Sequence, residues 1–125
     1  MTTPSRGEFW LVDLNPQSYK EEPAKKGRPC LVIQTDPLNA AGHPTTIVIP
    51  GTSKVFRDAL GDAFPLRVSV GRVLSEGELA KETDLLIDQV RAISNRRLVG
   101  TAPIGRASEG QLQRVQEALR MILGL

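Results

Sequence analysis

The apolar positions are grouped into short runs whose spacing changes along the chain. Glu8 to Leu14 alternates, with Phe9, Leu11 and Asp13 on one side and Trp10 and Val12 on the other. That period of two predicts a strand with two usable faces, closed by a turn at Asn15-Pro16. Cys30 to Ile33 is a continuous apolar run rich in branched side chains, too short for a committed helix and suited to a buried strand. Pro29 stands at its first position, where a missing N–H costs least, and it holds Arg28 extended in front of it. Thr45 to Pro50 predicts a third strand. Leu66 to Val70 alternates and predicts another, and Thr83 to Ile93 joins an apolar run, Leu85-Leu86-Ile87, to a second alternating stretch. The last element is helical. Ser108 and Gln111 have capping-box spacing, and Leu112, Val115, Leu119 and Ile122 share one face, so a helix over Ser108 to Leu123 should pack onto the sheet and end near Gly124.

Between these elements the chain is polar or irregular. Met1 to Ser5 is expected to be a flexible tail before a single domain over 6–125. Gln17 to Lys26 carries Glu21, Glu22, Lys25 and Lys26 and has the composition of a solvated loop. Asp36 to Pro44 is a connection by its proline, asparagine and glycine content, and Gly51 to Lys54 a small polar loop. Val55 to Leu66 fits one helical turn or an ordered loop, Gly71 to Glu82 a hairpin or an irregular excursion, and Ser94 to Leu98 a single capped turn. Short strands followed by one terminal helix predict an α+β fold, mainly β: a small, strongly curved antiparallel sheet or barrel.

Composition narrows the chemistry. One hundred and twenty-five residues suffice for one domain with a real core, and 40% apolar with 24% charged residues is ordinary for a globular chain. No apolar run is long enough to span a bilayer and the first residues lack a signal-peptide core, so a cytoplasmic protein is expected. The net charge of +2 permits an anionic partner without demanding one. The one cysteine, Cys30, excludes an internal disulfide and sits where a small buried hydrophobe belongs. The one histidine, His43, excludes a two-histidine acid–base pair within a chain and a zinc site built from Cys and His. With neither a Gly-rich phosphate loop nor a close acidic cluster, any enzyme here is expected to need no metal, cofactor or histidine.

Four segments, in order and spacing, resemble the MazF/PemK family of toxin endoribonucleases. They are Arg6-Gly7-Glu8-Phe9-Trp10-Leu11-Val12-Asp13-Leu14-Asn15-Pro16, Gly27-Arg28-Pro29-Cys30-Leu31-Val32-Ile33-Gln34, Pro44-Thr45-Thr46-Ile47-Val48-Ile49-Pro50-Gly51-Thr52-Ser53, and Leu85-Leu86-Ile87-Asp88-Gln89-Val90-Arg91-Ala92-Ile93, followed by the terminal helix. The resemblance implies an SH3-like barrel with a C-terminal helix and a homodimer with an RNA groove along its two-fold interface. It also implies cleavage of single-stranded RNA at short motifs, and a cognate antitoxin whose extended acidic segment covers that groove. The family's catalytic pair falls on Arg28 and Thr52. The loop before Arg28 departs from the family, reading Tyr19-Lys20-Glu21-Glu22-Pro23 where many members have Gly-x-Glu-Gln. Val55 to Leu66 and Gly71 to Glu82 match no family segment.

Each candidate also has an ordinary role. A guanidinium meets phosphate with paired donors, yet a lone arginine more often forms a surface ion pair. Thr52, with Ser53 beside it, can donate a hydroxyl to a phosphoryl oxygen or simply close a turn on its own backbone. Lys25, Lys26 and Lys54 can track phosphates, Glu21 or Glu22 can assist proton transfer, and all five can be merely solvated. Gln89 and Arg91 are expected on one face of a strand, where Gln89 can read a base edge. Trp10 can stack a base or lie buried. Two other readings compete: a gyrase poison of the CcdB kind, and an inactive RNA- or antitoxin-binding barrel. CcdB toxins act through a C-terminal Trp-Gly-Ile, whereas this chain ends Leu123-Gly124-Leu125 and has its one tryptophan at Trp10.

Overall fold

The apolar run behind Arg28 forms β2, Arg28–Val32, in the middle of the sheet. It pairs antiparallel with β1, Glu8–Val12, on one side and with β3, Thr45–Thr52, on the other. Leu31 stands opposite Phe9 and Ile49, while Cys30 stands opposite Trp10 and Pro50. Because successive side chains leave opposite faces, these three strands build two cores. Phe9, Leu31 and Ile49 join Val68, Val70, Leu85 and Val115 in one; Trp10, Val12, Cys30, Val32, Val48 and Ile93 form the other. Burial on both faces explains why β2 reads as an unbroken apolar run. The computed structural model describes residues 3–16, 27–54, 66–74 and 80–125.

The remaining strands are β4 (Arg67–Leu74), β5 (Ala80–Leu86), β6 (Arg91–Ser94), β7 (Leu98–Val99) and β8 (Gly105–Arg106). The sheet runs β4-β5-β3-β2-β1-β7, with β6 also on β3 and β8 also on β1. β3 changes partner along its length. Val48 to Pro50 pair with β2, whereas Gly51 and Thr52 pair with Leu85 and Asp84 of β5. The change falls at Pro50-Gly51, where one residue lacks an N–H and the next lacks a side chain. A Cβ on Gly51 would lie 2.7 Å from Thr83 Cγ2 and 3.2 Å from the Pro29 carbonyl oxygen. Glycine is what lets the strand turn there.

The helices are α1, Asp36–Ala40, and α2, Glu109–Leu123. The Gln111 N–H donates to Ser108 Oγ at 3.1 Å and the Ser108 N–H donates to Gln111 Oε1 at 2.9 Å, closing the expected capping box. Gly124 ends the helix at φ 70°. Val115 is buried, and Leu112, Leu119 and Ile122 pack on the first core. The result is a curled antiparallel half-barrel with a C-terminal helix, as the strand pattern predicts. No described helix is long and apolar enough to cross a membrane.

Two expectations change, and a third is resolved between its alternatives. Asp36 to Pro44 is more than a connection, because Pro37 stands in the first turn of α1 and the buried Asn39 side chain exchanges hydrogen bonds with Gln34 at 3.0 Å each. Of the hairpin and the excursion expected over Gly71 to Glu82, the described residues show the two strands of the hairpin, the end of β4 and the start of β5, while 75–79 lie outside the described residues. A bulge between Ser69 and Arg72, with Gly71 at φ 73°, breaks the alternation there. Gln89 is not on a strand, since Ile87–Gln89 winds into a 3-10 turn. The Ile87 N–H donates to the Leu66 carbonyl at 3.1 Å and the Val90 N–H to the Ile87 carbonyl at 3.3 Å, so the strand begins only at Arg91. The single turn after Ser94 is present as Asn95–Arg97, capped by the Ser94 hydroxyl. Of the expected tail, Pro4 is buried and the Ser5 N–H donates to Glu8 Oε1 at 2.6 Å. The loop 17–26 and the segment 55–65 lie outside the described residues.

Candidate active site

Arg28 opens β2 immediately after Gly27, whose φ of 77° turns the incoming chain sharply. Its side chain is half-buried. Nε donates to the Gly51 carbonyl at 2.7 Å, a tie between residues 23 apart that lands where β3 changes partner. Burial lowers the Arg28 pKa; the Cys30 thiol, where it ionises, opposes that shift. Cys30 is fully buried and its pKa is pushed up to about 12, chiefly by burial, with Arg28, Arg91 and the Gly51 backbone opposing. A thiol in that state is neutral and inert at ordinary pH, which agrees with its reading as a small hydrophobe.

Thr52 ends β3 and faces the same space. Its Oγ1 accepts from the Lys54 N–H at 3.1 Å, which leaves the hydroxyl proton available to an oxygen entering from outside. Arg28, Thr52, Ser53 and Lys54 line one cleft of about 260 Å³, together with Lys81 and Thr83 of β5. Sequence reasoning missed these last two. Lys81 lies on β5 opposite Val73, and nothing local marks it as a neighbour of Arg28. Thr83 is buried; its hydroxyl donates to the Lys81 carbonyl at 2.9 Å and its methyl fills the room that Gly51 leaves.

The other candidates divide. Glu21, Glu22, Lys25 and Lys26 lie outside the described residues. Gln89 is carried by the 3-10 turn and does not line this cleft. Arg91 pairs with Val48 across β3 and β6, near enough to Cys30 to bias the thiol, and it too lies off the cleft. Trp10 is buried at 1% exposure with its indole N–H donating to Glu8 Oε1 at 3.2 Å, so it is core rather than a base-stacking platform. Among the described residues, no three His, Cys, Asp or Glu side chains gather around a point that would hold a metal ion.

A curled half-barrel with a cationic cleft, walled by an arginine, a threonine and two lysines, defines a small β protein suited to an anionic chain. Residues 5–123 match the model of the PemK-like, MazF-like toxins of type II toxin–antitoxin systems, and the chain belongs to that family. It is 32% identical over 124 residues to endoribonuclease MazF9 of Mycobacterium tuberculosis, covering 96% of each chain. It is 29% identical over 121 residues to endoribonuclease MazF6 of the same organism, covering 97% of each. Among solved structures it is similar to MazF from Deinococcus radiodurans, with TM-score 0.72 and 21% identity over the whole of both chains. It is also similar to an endoribonuclease from a mycobacterial species solved in complex with its cognate antitoxin, with TM-score 0.65 and 16% identity over 100% of this chain and 97% of that one. At those identities the two structures speak to the fold.

Proposed function

We propose that this chain is a sequence-selective endoribonuclease toxin and that the cleft between Arg28 and Thr52 is where single-stranded RNA is cut. The observation that carries the reading is the convergence of Arg28, Thr52, Lys54 and Lys81, from three strands and the loop after β3, on one cleft of about 260 Å³. The 2′-hydroxyl of the RNA attacks the adjacent phosphorus, leaving a 2′,3′-cyclic phosphate on one product and a 5′-hydroxyl on the other. The nucleophile belongs to the substrate, so the protein has to align it, stabilise charge on the phosphoryl oxygens and handle two protons. Arg28 is held by Gly51 with its charge at the cleft wall, where partial desolvation strengthens its attraction for a phosphoryl oxygen. Thr52 donates its hydroxyl to a second oxygen and fixes the phosphate. Lys54 and Lys81, both exposed, follow the neighbouring phosphates. No metal ion is required by this scheme. Burial moves the Arg28 pKa in the direction that eases proton donation to the leaving oxygen.

The same positive surface is the natural seat of a cognate antitoxin that presents acidic and apolar side chains along an extended segment. The toxin works as a homodimer in the cytoplasm, where one RNA strand engages one of two equivalent clefts at a time. The gyrase reading gains no support from Trp10, which is buried in the core.

Purified protein free of antitoxin, incubated in EDTA with a long unstructured RNA, tests the reaction. Discrete cuts carrying cyclic phosphate, absent with Arg28→Ala and Thr52→Ala, are expected. Intact RNA under those conditions, or cuts that persist in both variants, would remove the assignment.

A further inference from the structure

We infer that Arg67, seated on the buried carboxylate of Asp84, is a positioning residue that fixes the Thr52 hydroxyl through the backbone of Lys54. The inference rests on the reading of the cleft as an RNA-cleaving site. Arg67 opens β4, and its Nη1 donates to the Lys54 carbonyl at 2.8 Å. The same Nη1 lies 3.9 Å from Asp84 Oδ2, with the Asp84 side chain fully excluded from solvent and that of Arg67 only 20% exposed. The sheet register puts Asp84 directly opposite Thr52 on β3 and opposite Ser69 on β4, so Asp84 stands between the cleft strand and the strand that carries Arg67.

Lys54 is thereby held from both sides. Its carbonyl is taken by Arg67 and its N–H by Thr52 Oγ1, so the backbone on either side of its Cα has little freedom. The Thr52 side chain must keep the rotamer that meets that N–H, and this rotamer aims the hydroxyl proton. A threonine turn at an exposed strand end would otherwise exchange its own bond for water. The ion pair ties the backbone just beyond Thr52 to the interior.

The burial of Asp84 argues in the same direction. Taking a carboxylate out of water is costly even with a partner, and an apolar residue of similar volume would serve the sheet at least as well. The cationic end that Asp84 retains beside the cleft loop is Arg67.

The test combines kinetics with amide exchange. Arg67→Ala is expected to lower kcat about 10- to 100-fold with the RNA KM changed less than about twofold, because the substrate is still bound and only the Thr52 geometry is loosened. Arg67→Lys, which keeps a cationic donor, should stay within about fivefold of the parent, and Asp84→Asn should fall between the two. A loss confined to KM would overturn the inference by making Arg67 act directly on RNA. Exchange of the Lys54 amide supplies a readout that needs no cleavage. It should quicken about tenfold in Arg67→Ala while the amides of Ile49 and Leu85 keep their rates. An unchanged Lys54 rate would sink the inference even with an active enzyme. A protein that cuts no RNA, yet shows the quickened Lys54 exchange, would retain the tether and lose only the cleavage reading.

Discussion

The two faces of the β2–β3 pair come from the same strands and end in different places. On one face Phe9, Leu31 and Ile49 lie beneath α2 with Val115, and the core is closed and apolar throughout. On the other, Val32, Cys30 and Arg28 follow one another from the interior to the rim, two residues apart. A strand advances about 7 Å in two residues, so the alternation that buries a thiol delivers a guanidinium to the surface one step later. Packing and chemistry are thus separated by position along the strand as much as by face. One strand can be scaffold for most of its length and active site at its tip, which makes the contrast open to test.

The largest effect expected separates the two faces outright. Leu31→Ala should destabilise the fold by about 2–5 kcal/mol, as for a large side chain removed from a closed core. Arg28→Ala should cost no more than about 1.5 kcal/mol, the value of one hydrogen bond, yet lower cleavage about 100- to 1000-fold. Denaturant melts beside cleavage rates check both. Comparable unfolding in the two variants would abolish the distinction.

The second prediction bears on the corner where the faces meet. Gly51→Ala places a methyl against Thr83 Cγ2 and the Pro29 carbonyl, and should cost about 1–3 kcal/mol while displacing the carbonyl that holds Arg28. Thr83→Ser removes the obstructing methyl and keeps the hydroxyl. The double variant should recover most of the stability, and no recovery would mean that the corner is limited elsewhere.

A pH experiment probes the graded face. Below about pH 9 the Cys30 thiol is protonated in both folded and unfolded chains. Above it the unfolded chain loses the proton, while the folded chain keeps it to about 12. Stability should therefore fall between these limits by about 1.4 kcal/mol per pH unit from this group alone. Cys30→Ala should be less stable than the parent at pH 8 but lose less on going to pH 10, as read from urea midpoints. Parallel profiles would mean that Cys30 titrates at its ordinary value.

The smallest effect belongs to the outer edge of the cleft. Lys81→Ala should leave the melting temperature unchanged and reduce the slope of log affinity against log salt for single-stranded RNA by about 0.7, one phosphate contact. An unchanged slope would take Lys81 off the RNA path.

Much of this was legible locally. Arg28-Pro29 before a branched apolar run marks a strand entrance, because proline restricts the residue before it. The Ser108–Gln111 spacing marks a helix start, because both capping bonds are made within one turn. The 3-10 turn at Ile87–Gln89 was not legible. Its residues continue the apolar pattern of β5, and the Leu66 carbonyl that takes the Ile87 N–H lies far away in sequence, so Gln89 read as a strand residue. Lys81 and Thr83 were hidden because they reach Arg28 only through the pairing of β5 with the end of β3, a long-range contact that no local period records.

The sequence by itself determined β1, β2, β3 and the start of β4, where α2 begins and ends, that Arg28 stands at the head of a buried strand, and that the order of motifs is that of the PemK-like and MazF-like toxins. Those properties follow from neighbours in the chain: side-chain alternation, capping and the stiffness of proline. Only the tertiary structure decided that Gly51 receives Arg28, that Thr52 shares a cleft with Lys81, and that Arg67 and Asp84 hold the loop beside it. Each depends on β3 leaving β2 for β5 at Pro50-Gly51. Such a change of partner is set by how closely two distant backbones can approach, and no local pattern records that distance.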